Sequence, residues 1–286
     1  MGILWLSELT VHAPAKINLV LKIIRKRADG YHDIQSILQK VSLYDTLVLK
    51  SDSRQGIRVT TDNPLVPTNA SNLAYRAADL FLRQQKIVTG LSIHIQKRIP
   101  VGAGLGGGST NAAATLAGLN KLLKCNVEET ALFSLGIKIG ADVPFFIYNM
   151  PAALAEGIGE RLTPVKIDIP LWIIIVFPGF SISTKWAYEN YKVLTNTSKK
   201  ISILRHFKGL NDVIGVLDND LESIVTRRYP EIQKIKHILL QAGACGALMS
   251  GSGSAVFGIF SDEQHAREAF QRLSMTSYNV FIVRSL

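Results

Sequence analysis

The sequence predicts an α+β protein built in two halves, and three observations carry that expectation. Apolar residues run or alternate in short stretches through residues 11–49, the pattern of strands. Helical spacing takes over at 72–85, 111–123 and 127–139. Beyond residue 171, helical and strand-like stretches interleave, and no segment repeats. The chain has 286 residues, 47% hydrophobic and 19% charged, which supplies a packed core and argues against disorder. That length suits one large domain or two ordinary ones.

Taken in order, 11–24 is an apolar-rich run broken by Pro14, and 25–30 ends in the Asp29-Gly30 pair favoured in hairpin turns. Residues 34–49 read as two extended runs separated near Tyr44-Asp45, and 51–71 as polar and turn-rich. A helix over 72–85 places Leu73, Ala77, Leu80 and Phe81 on one face. Residues 91–95 alternate as a strand should. After the glycine-rich stretch 100–110 come helices over 111–123 and 127–139, the second with Asn126 as N-cap and Glu129 three residues on. Residues 145–148 read as β-like and 155–161 as a turn. The apolar strand 171–177 follows a Pro-bounded segment, so the boundary between halves is placed at 164/165. Helices are expected over 185–194, 217–226, 232–242 and 263–273, and strands over 247–250, 255–260 and 279–283.

Several classes drop out. The most apolar run is far shorter than the ~20 residues of a membrane span. The N-terminus has no basic lead-in and no long apolar stretch, so no secretory signal is read. Two cysteines, Cys125 and Cys245, are too few for a disulfide framework or a cysteine zinc site, and Cys245 is read as a small buried residue. A cytoplasmic location is the expectation. Net charge is +10, with 14 basic against 7 acidic residues in the first hundred, an excess that suits a polyanionic partner. A basic RNA-binding protein is the rival class, but the aromatics are not interleaved with basic residues as such surfaces require.

The strongest local signal is residues 100–110: Pro100, Val101, Gly102, Ala103, Gly104, Leu105, Gly106, Gly107, Gly108, Ser109 and Thr110. Five glycines before a helix let backbone N–H groups turn inward around an anion, and the helix N-terminus adds partial positive charge. Ser109 and Thr110 can cap that helix and offer hydroxyls to a phosphate or its metal. The spacing matches the dinucleotide fingerprint, but the second strand that fingerprint needs is absent; a Walker loop fails because no lysine follows until Lys121. This is a phosphate cradle of another type. Lys16 and Asn18, two apart on an extended run, share one face of their strand.

Residues 100–110 followed by Asn111-Ala112-Ala113 resemble the second motif of the GHMP kinases, small-molecule kinases named for galactokinase, homoserine kinase, mevalonate kinase and phosphomevalonate kinase. The first motif of that family is similar to Ala13-Pro14-Ala15-Lys16-Ile17-Asn18-Leu19, and the third to Met249-Ser250-Gly251-Ser252-Gly253-Ser254-Ala255. All three stand in the family's order and span nearly the whole chain. Within the family, residues 27–32, 140–144 and 155–160 look like the branch that acts on a cytidine-diphosphate conjugate of methylerythritol.

The resemblance implies a ribosomal-S5-domain-2-like, ATP-binding N-terminal half, residues 1–164, and a ferredoxin-like C-terminal half, residues 165–286. It implies transfer of phosphate from ATP to the 2-hydroxyl of the methylerythritol unit, or by an alternative reading to another small alcohol. It further implies that residues 100–110 hold the triphosphate, that Asn72 and Lys97 lie around the adenosine, and that Lys16 and Asp142 form the catalytic pair. The Asp142 carboxylate then accepts or orients the hydroxyl proton, while the Lys16 ammonium faces the γ-phosphoryl charge. Asn18, Tyr31, His32, Thr184 and Tyr188 are implied around the small-molecule cytidine diphosphate substrate, with Trp186 close enough to compete with Tyr188 as the stacking ring. Gly251 and Gly253 are read as a turn approaching the phosphates. Magnesium is expected with ATP, although no carboxylate ligand pair is readable. No nucleic-acid or membrane partner is expected.

Overall fold

The computed structural model describes residues 7–191 and 204–286. The chain runs β1 (Glu8–Lys26), β2 (His32–Asp52), β3 (Gly56–Thr61), α1 (Leu73–Gln84), β4 (Gly90–Gln96), α2 (Gly107–Leu122), α3 (Glu129–Ile139), α4 (Val143–Ile147), β5 (Ala152–Gly157) and β6 (Arg161–Pro164). It continues with β7 (Lys166–Ile167), β8 (Trp172–Phe177), α5 (Thr184–Asn190), β9 (His206–Phe207), α6 (Leu210–Ile214), β10 (Asp218–Asn219), α7 (Glu222–Arg228), α8 (Glu231–Gln241), β11 (Gly246–Met249), β12 (Val256–Phe260), α9 (Glu263–Leu273) and β13 (Asn279–Arg284).

Two compact units form. Of the described residues, the first comprises those up to Ala15, Tyr44–Val101 and Gly106–Asn149; the second comprises Lys16–Leu43, Gly102–Leu105 and those from Met150 onward. These packing units differ from the single cut expected at 164/165, because β1 and β2 each supply residues to both and the glycine-rich stretch is divided at residue 105.

In the first unit, β3 and β4 run parallel, joined through α1, and the end of β2 pairs antiparallel with β4 from Thr46↔Gln96 to Asp52↔Gly90. Helix α1 starts where Asn72 Oδ1 accepts from Ala74 N at 2.8 Å, and it buries Ala74, Ala77, Ala78, Phe81 and Leu82 on one face. That face meets α2 and the sheet in a core of Leu47, Leu49, Ile93, Ile95, Leu116 and Leu119. Burying a side chain such as Phe81 contributes about 1.5–3 kcal/mol.

In the second unit, the four-stranded antiparallel sheet has the order β11-β12-β8-β13. Helices α7 and α8 lie in sequence between β8 and β11, and α9 between β12 and β13, which is the split β-α-β-β-α-β arrangement of ferredoxin-like folds. Its core includes Ile174, Val176, Ile235, Leu239, Phe260 and Ala266. A second set of strands joins β1 to β10 and β2 to β5, with β6 beyond.

Several expectations are corrected. Residues 145–147 are helical, the end of α4, and Tyr148 is its extended C-cap: Pro144 sits in the first turn with its φ already set for a helix, and a five-residue apolar run carries no period to show it. Residues 34–49 belong to one continuous strand. Residues 155–161 are the end of β5, a short turn and the start of β6, and 51–71 contain β3. Asn126 is not a cap; it has φ +52°, α3 starts at Glu129, and the Asn120 amide group satisfies both Val127 N–H and C=O. Helix α2 begins earlier than expected, with Gly106 as its N-cap and no side-chain capping bond, so neither Ser109 nor Thr110 caps it. Residues 217–226 divide between β10 and α7. The helix expected over 185–194 is α5, and its residues beyond 191 lie outside the described ones. Cys245 is exposed.

Candidate active site

In the first unit, the starts of α1 and α2 lie side by side. A side chain at Gly108 would meet Leu73 Cδ1 at 3.3 Å, and one at Gly107 would meet Lys97 Nζ at 2.8 Å and Ile99 Cγ2 at 3.1 Å. Thus Asn72, Lys97 and the second half of the glycine stretch, distant in sequence, come together. The first-turn N–H groups of a helix have no intrahelical partner and carry the positive end of its dipole, so this is an anion-binding end. Two polar atoms there support that reading: Thr110 Oγ1 and Asn111 Oδ1 are buried with no hydrogen-bond partner among the described residues. Asn111 belongs to the second motif, and its burial, which no local signal encodes, is what marks it.

Asn72 is committed to structure, capping α1 and donating from Nδ2 to Pro67 O at 2.6 Å. Lys97 Nζ donates to Asp45 Oδ2 at 2.5 Å, with both side chains buried. Burial pulls the Lys97 ammonium below the usual lysine range, against the opposing pull of Asp45 and Asp62. Asp142 is half-buried at the tight junction of α3 and α4, where Val143 N donates to Gly140 O at 3.1 Å. It stands at the N-cap position of α4 but makes no capping bond.

In the second unit, Lys16 is 4% exposed, and its Nζ donates to Asn18 Oδ1 at 2.5 Å. Asn18 Nδ2 donates in turn to Ser36 Oγ at 2.8 Å, and Ser36 Oγ to Val20 O at 2.5 Å. This chain fixes the lysine's reach. The first half of the glycine stretch is held against the same strand, since Lys16 N donates to Leu105 O at 3.0 Å. Ser250 Oγ donates to Gly104 O at 3.0 Å and accepts from Asn18 N at 3.4 Å. Gly251 and Gly253 form the expected turn, braced by Asn219 Nδ2, which donates to Met249 O and Gly251 O at 2.8 Å each.

The remaining predicted groups are also in this unit. Thr184 Oγ1 lies 2.9 Å from Ser252 Oγ. His32 is buried beside Tyr188, ring centroids 5.3 Å apart, and its Nε2 has no partner among the described residues. Burial, helped by the charge of Lys26, lowers the His32 pKa and keeps the imidazole neutral. Tyr31 is 62% exposed on a turn closed by Arg27 N donating to Tyr31 O at 2.8 Å. Trp186 is engaged elsewhere: it meets Tyr229 edge-on at 5.7 Å, with the Arg228 guanidinium 5.1 Å from its ring centroid. Of the two candidate rings, Tyr188 is therefore the one beside His32.

A glycine-rich helix start in the first unit, and a buried lysine and a ferredoxin-like sheet in the second, are features that a phosphate-handling α+β enzyme needs. The description "GHMP kinases N terminal domain" matches residues 72–150, and "GHMP kinases C terminal" matches 203–278. A 4-diphosphocytidyl-2-C-methyl-D-erythritol kinase from Geobacter sp. (strain M21) is 45% identical over 271 residues, covering 95% of this chain and 96% of that protein. The enzyme of the same name from Geobacter metallireducens is 45% identical and covers 98% and 100%. A crystal structure of 4-(cytidine 5'-diphospho)-2C-methyl-D-erythritol kinase superposes with a TM-score of 0.82 at 35% identity, covering 97% of this chain and 99% of that one. Homoserine kinase from Cytophaga hutchinsonii shares the fold, with a TM-score of 0.75 at 20% identity. The chain belongs to the GHMP kinase family and is a kinase that phosphorylates an alcohol. No helix among its described residues is long and apolar enough to cross a membrane.

Proposed function

We propose that the chain transfers the γ-phosphoryl group of ATP to the 2-hydroxyl of 4-diphosphocytidyl-2-C-methyl-D-erythritol. The observation that carries the substrate is the near-complete match to relatives bearing that enzyme's name, at 45% identity. Phosphoryl transfer needs positioning and charge neutralisation more than covalent help, and this reading assigns residues to both. The open start of α2, residues 106–110, receives the triphosphate on backbone N–H groups, while residues 100–105 shape its approach. Lys16, locked by Asn18, faces the transferred charge. Asp142 accepts or orients the acceptor hydroxyl proton. Tyr188 and the neutral His32 hold the cytosine, with Tyr31, Asn18 and Thr184 contributing to the same substrate. The division into an ATP-binding segment, 1–164, and a C-terminal segment, 165–286, is part of this reading; the two family matches fall on either side of it.

Among the described residues no group of three or more His, Cys, Asp or Glu side chains could hold a metal ion. What the site does offer is the unpartnered Thr110 hydroxyl at the first turn of α2, which fits a magnesium ion arriving with the nucleotide phosphates. Such an ion neutralises phosphate charge when bound.

The test is turnover of the cytidylyl substrate against mevalonate and homoserine; no turnover of the first overturns the assignment. In the same assay, Asp142→Asn is expected to lower kcat by about 10²–10⁴-fold with ATP affinity near normal. Turnover within a few-fold of wild type would remove Asp142 from the catalytic pair.

A further inference from the structure

Asp45 is fully buried in the middle of β2, and nothing in the reaction above uses it. Its Oδ2 accepts from Lys97 Nζ at 2.5 Å, and its Oδ1 from the backbone N–H of Arg98 and of Ile99, at 2.8 Å each. The backbone N–H of Lys97 is held separately, by Asp62 Oδ1 at 2.8 Å. Two carboxylates therefore fix the three residues that lead into the glycine-rich stretch. The ammonium they hold lies against Gly107 at the first turn of α2, close enough that a methyl group on Gly107 would strike it.

For stability alone this placement is perverse. A cation at a helix N-terminus opposes the helix dipole. A buried ion pair is seldom better than apolar side chains of the same volume. The arrangement makes sense if the ammonium is held for an anion that arrives later. The buried, unpartnered Thr110 Oγ1 and Asn111 Oδ1 in the same turn point to a ligand at that place.

We propose that Asp45 is a positioning residue for the nucleotide: its buried carboxylate holds Lys97 Nζ at the first turn of α2, so that the ammonium meets the phosphates together with the helix N–H groups, and not the adenosine where the resemblance places Lys97. This rests on reading residues 106–110 as the phosphate site. Asp45 acts through Lys97 and touches no substrate itself.

The experiment is equilibrium binding of ATP by calorimetry, without acceptor, to wild type, Asp45→Asn, Lys97→Met and the double variant. Asparagine keeps an oxygen for the Arg98 and Ile99 N–H groups but turns an N–H₂ toward Lys97, so it removes the ion pair and spares the backbone bonds. Asp45→Asn is expected to weaken ATP binding about tenfold, and in the Lys97→Met background to change it less than twofold. Affinity for the cytidylyl acceptor is expected to be unchanged in every variant. ATP binding by folded Asp45→Asn within twofold of wild type overturns the proposal, as does an equal loss in the Lys97→Met background. Should Asp45→Asn fail to fold, Gly107→Ala displaces Nζ with Asp45 intact; it is expected to weaken ATP binding several-fold, and unchanged binding overturns the proposal. Wild type that does not bind ATP would instead remove the phosphate-site reading beneath it.

Discussion

The two halves of the glycine-rich stretch are glycine-rich for different reasons. In residues 102–105 every carbonyl has a donor: Ile182 N on Gly102, Ala255 N on Ala103, Ser250 Oγ on Gly104 and Lys16 N on Leu105. Gly104 has φ +78°, and a Cβ there would fall inside van der Waals contact with the Ser250 carbonyl oxygen. This half is a fastened structural seam. In residues 106–110 the situation reverses. The helix start leaves N–H groups without intrahelical partners, and it buries a hydroxyl that nothing among the described residues satisfies. Gly107 is small because Lys97 occupies the space of a side chain, not because of its backbone angles. One half is closed by the protein on itself, and the other is the half proposed above to receive the phosphates.

Gly104→Ala tests the seam most severely. Adding a methyl group there combines left-handed strain with overpacking against backbone that cannot yield, so a loss of about 2–5 kcal/mol is expected in denaturant unfolding. Gly107→Ala meets side chains and no backbone, the Lys97 ammonium at 2.8 Å and Ile99 Cγ2 at 3.1 Å, so its loss should stay at about 1 kcal/mol, well below that at Gly104. Equal losses at the two positions would abolish the distinction. Thr110→Val tests the open half. It exchanges an unpaired buried hydroxyl for a methyl group of the same shape, so the melting temperature is expected to hold or rise. Meanwhile kcat/KM for ATP is expected to fall about 10–100-fold, through lost contact with phosphate or its ion. An unchanged kcat/KM would show that the orphan hydroxyl serves no ligand.

The same contrast explains what could be read without coordinates. Helix α9 matched its expected bounds, and α1 and α8 lay within a residue of theirs, because each has one apolar face and a plain end. The glycine cluster was legible as a special segment before a helix, since glycine density is a local property. Which glycines close the seam and which open the site was not, because that depends on Ser250, Ile182 and Lys97, far away in sequence. Asp45 misled for a related reason. A charged residue beside Tyr44 looks like a break between strands, yet a buried lysine and two backbone N–H groups let β2 continue through it. Trp186 and Tyr188, two apart on α5, could not be separated by pattern; Tyr229 and Arg228 on the one side and His32 on the other distinguish them.

Ser250→Ala gives the smallest and most discriminating effect. The hydroxyl makes two bonds, one to the Gly104 carbonyl and a longer one from Asn18 N at 3.4 Å, and both belong to the seam. Losing them removes about 1 kcal/mol of stability, the usual net value of a neutral hydrogen bond. If the seam is purely structural, ATP affinity should stay within about threefold, because no group that faces the phosphates has changed. The Lys16 side chain keeps its bond to Asn18 Oδ1, which Ser250 does not touch, so kcat should move little as well. A variant that melts like wild type but binds ATP ten times more weakly would reverse the argument. The seam would then be contacting the nucleotide, and both halves of the stretch would be open.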